Sequence, residues 1–69
     1  MDIKSQIQEV VWKIIVKVGQ NIEENEEVII LESMKMEIPI HSKQKGKIKN
    51  ILVKEGDIIN EDETVIILE

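Results

Sequence analysis

Apolar residues recur along this chain in short runs, and none of the runs has a helical period of useful length. Val28-Ile29-Ile30-Leu31 is continuous, whereas Met36, Ile38 and Ile40 alternate with other residues. Two such runs joined by a few residues predict a β-hairpin, here with Glu32-Ser33-Met34-Lys35-Met36-Glu37 around its turn. Ile3 to Ile7 alternates as a short first strand would, and Val10 to Val18 reads as the next. Within it Val11, Ile14 and Val16 are spaced three and then two apart. A strict strand keeps a period of two, so the extra residue predicts a bulge or bend.

The pattern occurs twice. Shifted by thirty-seven residues, positions 1–32 fall on 38–69 with fourteen of thirty-two identical. Val28-Ile29-Ile30-Leu31-Glu32 is repeated as Val65-Ile66-Ile67-Leu68-Glu69, and Gly19, Ile22, Glu24 and Glu26 recur as Gly56, Ile59, Glu61 and Glu63. Ile3 and Ser5 recur as Ile40 and Ser42. The three-then-two spacing returns at Ile48, Ile51 and Val53, so the bulge is expected in both halves. Two copies are too few for a solenoid. They predict one closed domain over 1–69 with an approximate two-fold axis, each half completing the other's core. Such an axis places the turn around Lys35 at one end and both chain termini at the other.

Punctuation supports the same outline. Gly19 and Gly56 each close a strand, as turn glycines do. They open the acidic stretches Asn21 to Glu27 and Asn60 to Thr64, which read as solvated rims; adjacent carboxylates without a fixed loop pattern or histidine are weak metal candidates. Pro39 removes a donor and suits an edge strand. Lys43, Lys45, Lys47 and Lys49 alternate as an exposed face that discourages edge pairing. His41-Ser42-Lys43-Gln44-Lys45-Gly46 reads as a polar connection, and the lone His41 has no evident catalytic partner.

Composition narrows the function. Sixty-nine residues make one small domain, burying only about 60% of its unfolded surface. The core is isoleucine and valine with Trp12 as its one aromatic, which points to an all-β fold. With no cysteine there is no disulfide framework and no thiolate chemistry. A net charge of −5 argues against nucleic acid and anionic membrane as partners. No segment matches a membrane helix or a signal peptide, so a cytoplasmic, soluble protein is expected. A turn lysine is ordinarily a solvated charge. Two methionines beside it serve solubility poorly, however, and it stands just past the end of the first repeat. A lysine so mounted can serve as an attachment point.

Glu32-Ser33-Met34-Lys35-Met36 resembles the attachment motif of biotinyl domains, most often Glu-Ala-Met-Lys-Met. The glycines, the apolar run before Glu32 and the repeat resemble the same family, from about Ile7 to Glu69. The resemblance implies a biotinyl/lipoyl carrier of the short freestanding type: a flattened β-barrel of two four-stranded antiparallel sheets with quasi-two-fold symmetry. It implies that biotin protein ligase attaches biotin to Lys35. Met34 and Met36 would present the lysine to the ligase, and Glu32 and Ser33 complete the motif. The chain itself would be non-catalytic, a subunit that carries a carboxyl group between biotin carboxylase and carboxyltransferase subunits on an arm on the order of 15 Å long. Ser33 in place of alanine, Glu9 where a glycine is common, and His41-Ser42 in place of Ala-Pro depart from the family pattern without touching Lys35. The alternatives are a lipoyl carrier with lipoate on Lys35, against which the methionines on both sides speak, and an unmodified interaction module. No nucleophile, base and orienting group stand together as a hydrolase would need.

Overall fold

The computed structural model describes residues 2–69 and contains eight strands. They are β1 (Asp2–Lys4), β2 (Glu9–Ile14), β3 (Asn21–Ile22), β4 (Glu27–Ser33), β5 (Met36–His41), β6 (Gly46–Ile51), β7 (Ile58–Ile59) and β8 (Thr64–Leu68). They form two four-stranded sheets, ordered β1-β8-β6-β3 and β5-β4-β2-β7, and every pairing is antiparallel. The all-β flattened barrel expected from the isoleucine-rich pattern is therefore the observed fold.

The two sheets are interleaved. A shift of thirty-seven residues carries β1 to β4 onto β5 to β8 and turns one sheet order into the other. Each half gives two strands to each sheet, and its short third strand closes the edge of a sheet beside a strand of the other half: β3 pairs with β6, and β7 pairs with β2. The inward residues then meet between the sheets. Val28, Ile29 and Leu31 join their repeats Val65, Ile66 and Leu68, with Ile22, Ile48 and Ile59, and all are buried. β-Branched side chains lose little further freedom on a pleated surface, so this composition suits a thin two-sheet core.

The bulges lie where the spacing placed them. Register slips between Val11 and Lys13 on β2 and between Ile48 and Asn50 on β6, leaving Trp12 and Lys49 as the extra residues. Gly19 and Gly56 have φ of +90° and +95°, with open space where a Cβ would stand. Only their backbone conformation requires glycine there. Each turn ties the sheets together: Gly19 N donates to Ile48 O, and Gly56 N donates to Val11 O.

Other expectations need correction. Trp12 does not belong to the core; as the bulge residue it is exposed, with Lys13 Nζ 5.8 Å from its ring centroid. The first strand stops at Lys4 and the second at Ile14, short of Ile7 and Val18, because the chain must then cross to the opposite sheet. The lysine run is not an edge. β6 lies between β8 and β3, Lys43 and Lys45 precede it, and Lys49 is its bulge. β5 is an edge strand, as Pro39 indicated. The acidic rims are not merely solvated either: Glu26 Oε1 accepts from Glu23 N at 2.9 Å, and Glu63 Oε1 accepts from Asn60 N at 2.9 Å, each closing its own turn.

The stretch after His41 holds a second surprise. Ser42 and its repeat Ser5 are fully buried. Ser5 Oγ donates to Ile7 O at 2.6 Å and accepts from Ile7 N at 3.3 Å. Ser42 Oγ donates to Gln44 O and accepts from Gln44 N. Their backbones clamp the opposite half's acidic turn: Asn25 N donates to Ser42 O, Ser42 N to Glu26 O, Asp62 N to Ser5 O, and Ser5 N to Glu63 O. Replacing either hydroxyl by alanine leaves a carbonyl and an N–H without their local partner, at about 1–3 kcal/mol. We expect Ser5→Ala and Ser42→Ala to lower Tm by similar amounts, on the order of 5–15 °C for a domain of this size. Thermal melts showing either serine neutral would contradict this account of the clamp.

Candidate functional site

The β4–β5 hairpin is paired without a slip from Ile29↔Ile40 to Ser33↔Met36, the register shifting only below this between Glu27 and Ile29, and it leaves a loop of only two residues, Met34 and Lys35. Their φ angles are +46° and +71°. Two left-handed central residues are what a tight hairpin needs for its twist to match its strands, and Asn-Gly is the usual solution. Methionine and lysine occupy that conformation at roughly 1–2 kcal/mol each. The long paired strands beneath hold them there.

The tip is bare. Met34 is 94% exposed and Met36 63% exposed, and Lys35 between them is exposed too. Methionines this open contribute nothing to the core. Among the described residues, no carboxylate lies within ion-pairing distance of Lys35 Nζ. Just below the turn Glu32 and Glu37 sit directly opposite each other, both exposed. Like charges so placed disfavour the pairing. The tip thus combines strained backbone, exposed apolar side chains and facing carboxylates around one uncommitted amine.

The rest of the fold sets where this tip is. β2 starts beside it, Val10 opposite Glu32 and Val11 opposite Leu31, with the Gly56 turn bonded to Val11. The chain then runs away from the tip along β2. It reaches Gly19, whose N–H donates to Ile48 O beside Leu68, while Glu69 N donates to Lys47 O. Asp2 pairs with Ile67 at that far end. Lys35 and the outermost described residues therefore occupy opposite ends of a body measuring 32 × 18 × 18 Å.

All five motif residues, Glu32 to Met36, are gathered at the tip. His41 stands apart at the other end of β5, its Nε2 3.8 Å from Glu27 Oε2, both side chains about half exposed. The acidic stretches do not converge: among the described residues no group of three or more His, Cys, Asp or Glu is arranged to hold a metal ion. Among the same residues, no helix is long and apolar enough to cross a membrane. What the chain pattern did not single out is the exposed apolar trio Val10, Trp12 and Ile58 on the sheet that bears the hairpin. The signal was present, because at all three positions the repeat substitutes a polar residue.

Comparison with known proteins agrees with this geometry. The family model described as biotin-requiring enzyme matches residues 2–68. A biotin/lipoyl attachment protein of Bacillus subtilis (strain 168) is 58% identical over 38 residues, which are 55% of this chain and 52% of that protein. The match thus spans about half the length of this relative. Among solved structures, the urea carboxylase of Kluyveromyces lactis superposes with a TM-score of 0.92 at 30% identity, over 100% of this chain and 6% of that one. A single-chain, multi-domain long-chain acyl-CoA carboxylase shares the fold, with a TM-score of 0.87 at 17% identity over 96% of this chain and 7% of that one. A bare amine on a two-residue turn, a pseudo-symmetric pair of four-stranded sheets behind it and a family match over nearly every residue lead to one conclusion: this chain belongs to the biotin/lipoyl attachment family.

Proposed function

We propose that this chain is a carrier that biotin protein ligase loads with biotin at Lys35, and that it conveys a carboxyl group from a biotin carboxylase to a carboxyltransferase. The observation that carries this reading is the mounting of Lys35 Nζ: outermost on a rigid hairpin, between two exposed methionines. The likeness to a stretch of a urea carboxylase supports the carboxyl-transfer setting. Biotin, once attached, supplies the carboxyl-carrying chemistry.

The chain's own residues supply the handle. Lys35 Nζ, as the neutral amine, attacks the acyl carbon of the adenylate that the ligase forms from ATP and the cofactor's carboxylate. The amide C–N bond forms as the bond to the AMP phosphate oxygen breaks, AMP leaves, and the amine's proton passes to the ligase. The charge at the tip is thereby lost. Met34 and Met36 offer flexible apolar surface on either side of the nucleophile, suited to an enzyme pocket that must admit one lysine among the nine of this chain. Ser33, small and paired with Met36, keeps the approach open, and Glu32 adds a fixed charge one step below. The rigid turn limits where the amine can be, which lowers the ordering cost when the ligase seats it. Tethering then keeps the cofactor at high local concentration for two active sites.

Lipoate on the same amine is the second reading. It is favoured by the Bacillus relative, whose name joins both groups. The nucleophile and the bond formed are the same, and the methionine on each side of Lys35 weighs toward biotin.

Co-expression with a biotin protein ligase and biotin should add one biotinyl group per chain, seen by intact mass and mapped to Lys35. Lys35→Arg should keep the wild-type Tm and the unmodified mass. A wild-type protein that stays unmodified beside an active ligase, or a biotinylated Lys35→Arg, would overturn the assignment; a lipoyl increment from the native host would favour the second reading. The strained turn has its own signature. Met34→Asn should raise Tm by about 2–6 °C, because asparagine tolerates a left-handed backbone. It should also slow acylation, because the apolar contact is gone. A variant that is both more stable and equally well acylated would remove Met34 from recognition.

A further inference from the structure

The repeat provides a comparison within one molecule. Positions thirty-seven residues apart occupy equivalent places on the two sheets, so a residue needed for folding should be similar in both halves. Leu52, exposed on one side, has Ile15 exposed on the other, which fits a requirement of the scaffold. Four exposed positions break the rule, of which Val18, whose equivalent is Glu55, stands by itself beside the Gly19 turn and the other three lie together. Val10, Trp12 and Ile58 belong to the sheet that carries the lysine hairpin, and their equivalents on the opposite sheet are Lys47, Lys49 and Asn21. Val10 and Ile58 are cross-strand partners. Their exposures are 37% and 68%, and Trp12 on the adjoining bulge is 44% exposed. The fold thus accepts lysine and asparagine at these three places, and the apolar residues that replace them lie together on the sheet that carries the tip.

The row continues into the site. Ile58 pairs with Val10, Val10 with Glu32, and Glu32 with Glu37. An apolar centre therefore adjoins two facing carboxylates, and the turn above them bears Lys35. Val10 is three residues below Lys35 along the hairpin, roughly 10 Å, and one strand across. An ordinary protein interface buries about 800 Å² on each side, so one partner engaging the tip would cover this row. Aromatic residues are enriched in such interfaces, and tryptophan is prominent among the residues that dominate their affinity.

We infer that the Val10–Trp12–Ile58 face is the docking surface for the enzyme that acylates Lys35, an enzyme whose complementary surface is apolar at its centre and basic where it meets Glu32 and Glu37. This rests on the function proposed above. The choice of partner follows from reach. A bare lysine extends only about 6 Å from its backbone, so an enzyme that joins an acyl group to it must close on the tip and the surface beside it. Enzymes that act at the end of the loaded arm can work from farther away and have no such need of this face.

The molecule supplies its own test. The triple substitution Val10→Lys, Trp12→Lys, Ile58→Asn gives this face the residues its twin already carries. Purified biotin protein ligase, with ATP and biotin, is assayed against wild-type chain, the triple variant and the reciprocal variant Lys47→Val, Lys49→Trp, Asn21→Ile. The triple variant should keep a wild-type Tm and raise KM for the carrier about tenfold or more, with kcat within about twofold. The reciprocal variant should match wild type in kcat/KM. Higher salt should raise the wild-type KM if Glu32 and Glu37 meet basic groups. A triple variant with wild-type KM overturns this proposal and leaves the assignment of Lys35 standing, whereas a wild-type chain that is never acylated overturns both. Sedimentation showing a wild-type dimer that the triple variant loses, with KM unchanged, would mean the face serves a second copy of the chain.

Discussion

Neither half of this chain can bury its own isoleucines. Val28, Ile29 and Leu31 are covered because Val65, Ile66 and Leu68 arrive from the other half, and each sheet is finished by a two-residue strand from across the axis. A chain this short has little surface to remove from water. It compensates by gathering buried residues of both sheets into one cluster. The hairpin depends on that closure. A free two-stranded hairpin is marginal in water, and one with methionine and lysine in left-handed conformations is worse. β2 packed against β4, locked in turn by the Gly56 turn and β7, keeps the tip folded.

Much of this was legible along the chain because the repeat prints it twice. The hairpin, both bulges and both glycine turns each left a local mark: a run, a spacing, a residue type. The features that were missed left none. β3 and β7 are two residues long and have no period to detect. Ser42 stands in a polar stretch that reads as solvent-facing, yet it is buried, because its partners are the carbonyl and N–H of Gln44 and a turn from the other half. Trp12 looks like core by residue type, and only the slipped register beside it shows otherwise. Tertiary position decided all three. In the case of Ser5 and Ser42, the identity between halves was the clue that local reading passed over.

The site was legible in a different way. Motif spacing located Lys35, but not the cost of holding it. Met34 and Lys35 strain the turn, Glu32 opposes Glu37, and Met34 and Met36 lie open to water. Each of these works against stability, and they fall within six consecutive residues, while the other left-handed positions are held by Gly19, Asn25, Gly56 and Asp62, residue types suited to that backbone. Local choices that disagree with the global fold concentrate where a protein has another use for them. The density of disfavoured choices at one end of an otherwise consistent molecule sets that end apart from the rest of the fold.

The pairing of Asp2 with Ile67 is the twin of that between Pro39 and Ile30. The ladder that ends in the lysine turn therefore has a counterpart at the opposite pole. One architecture thus builds the same ladder at two poles, so the strain of the lysine turn belongs to its own two residues and not to the ladder beneath it.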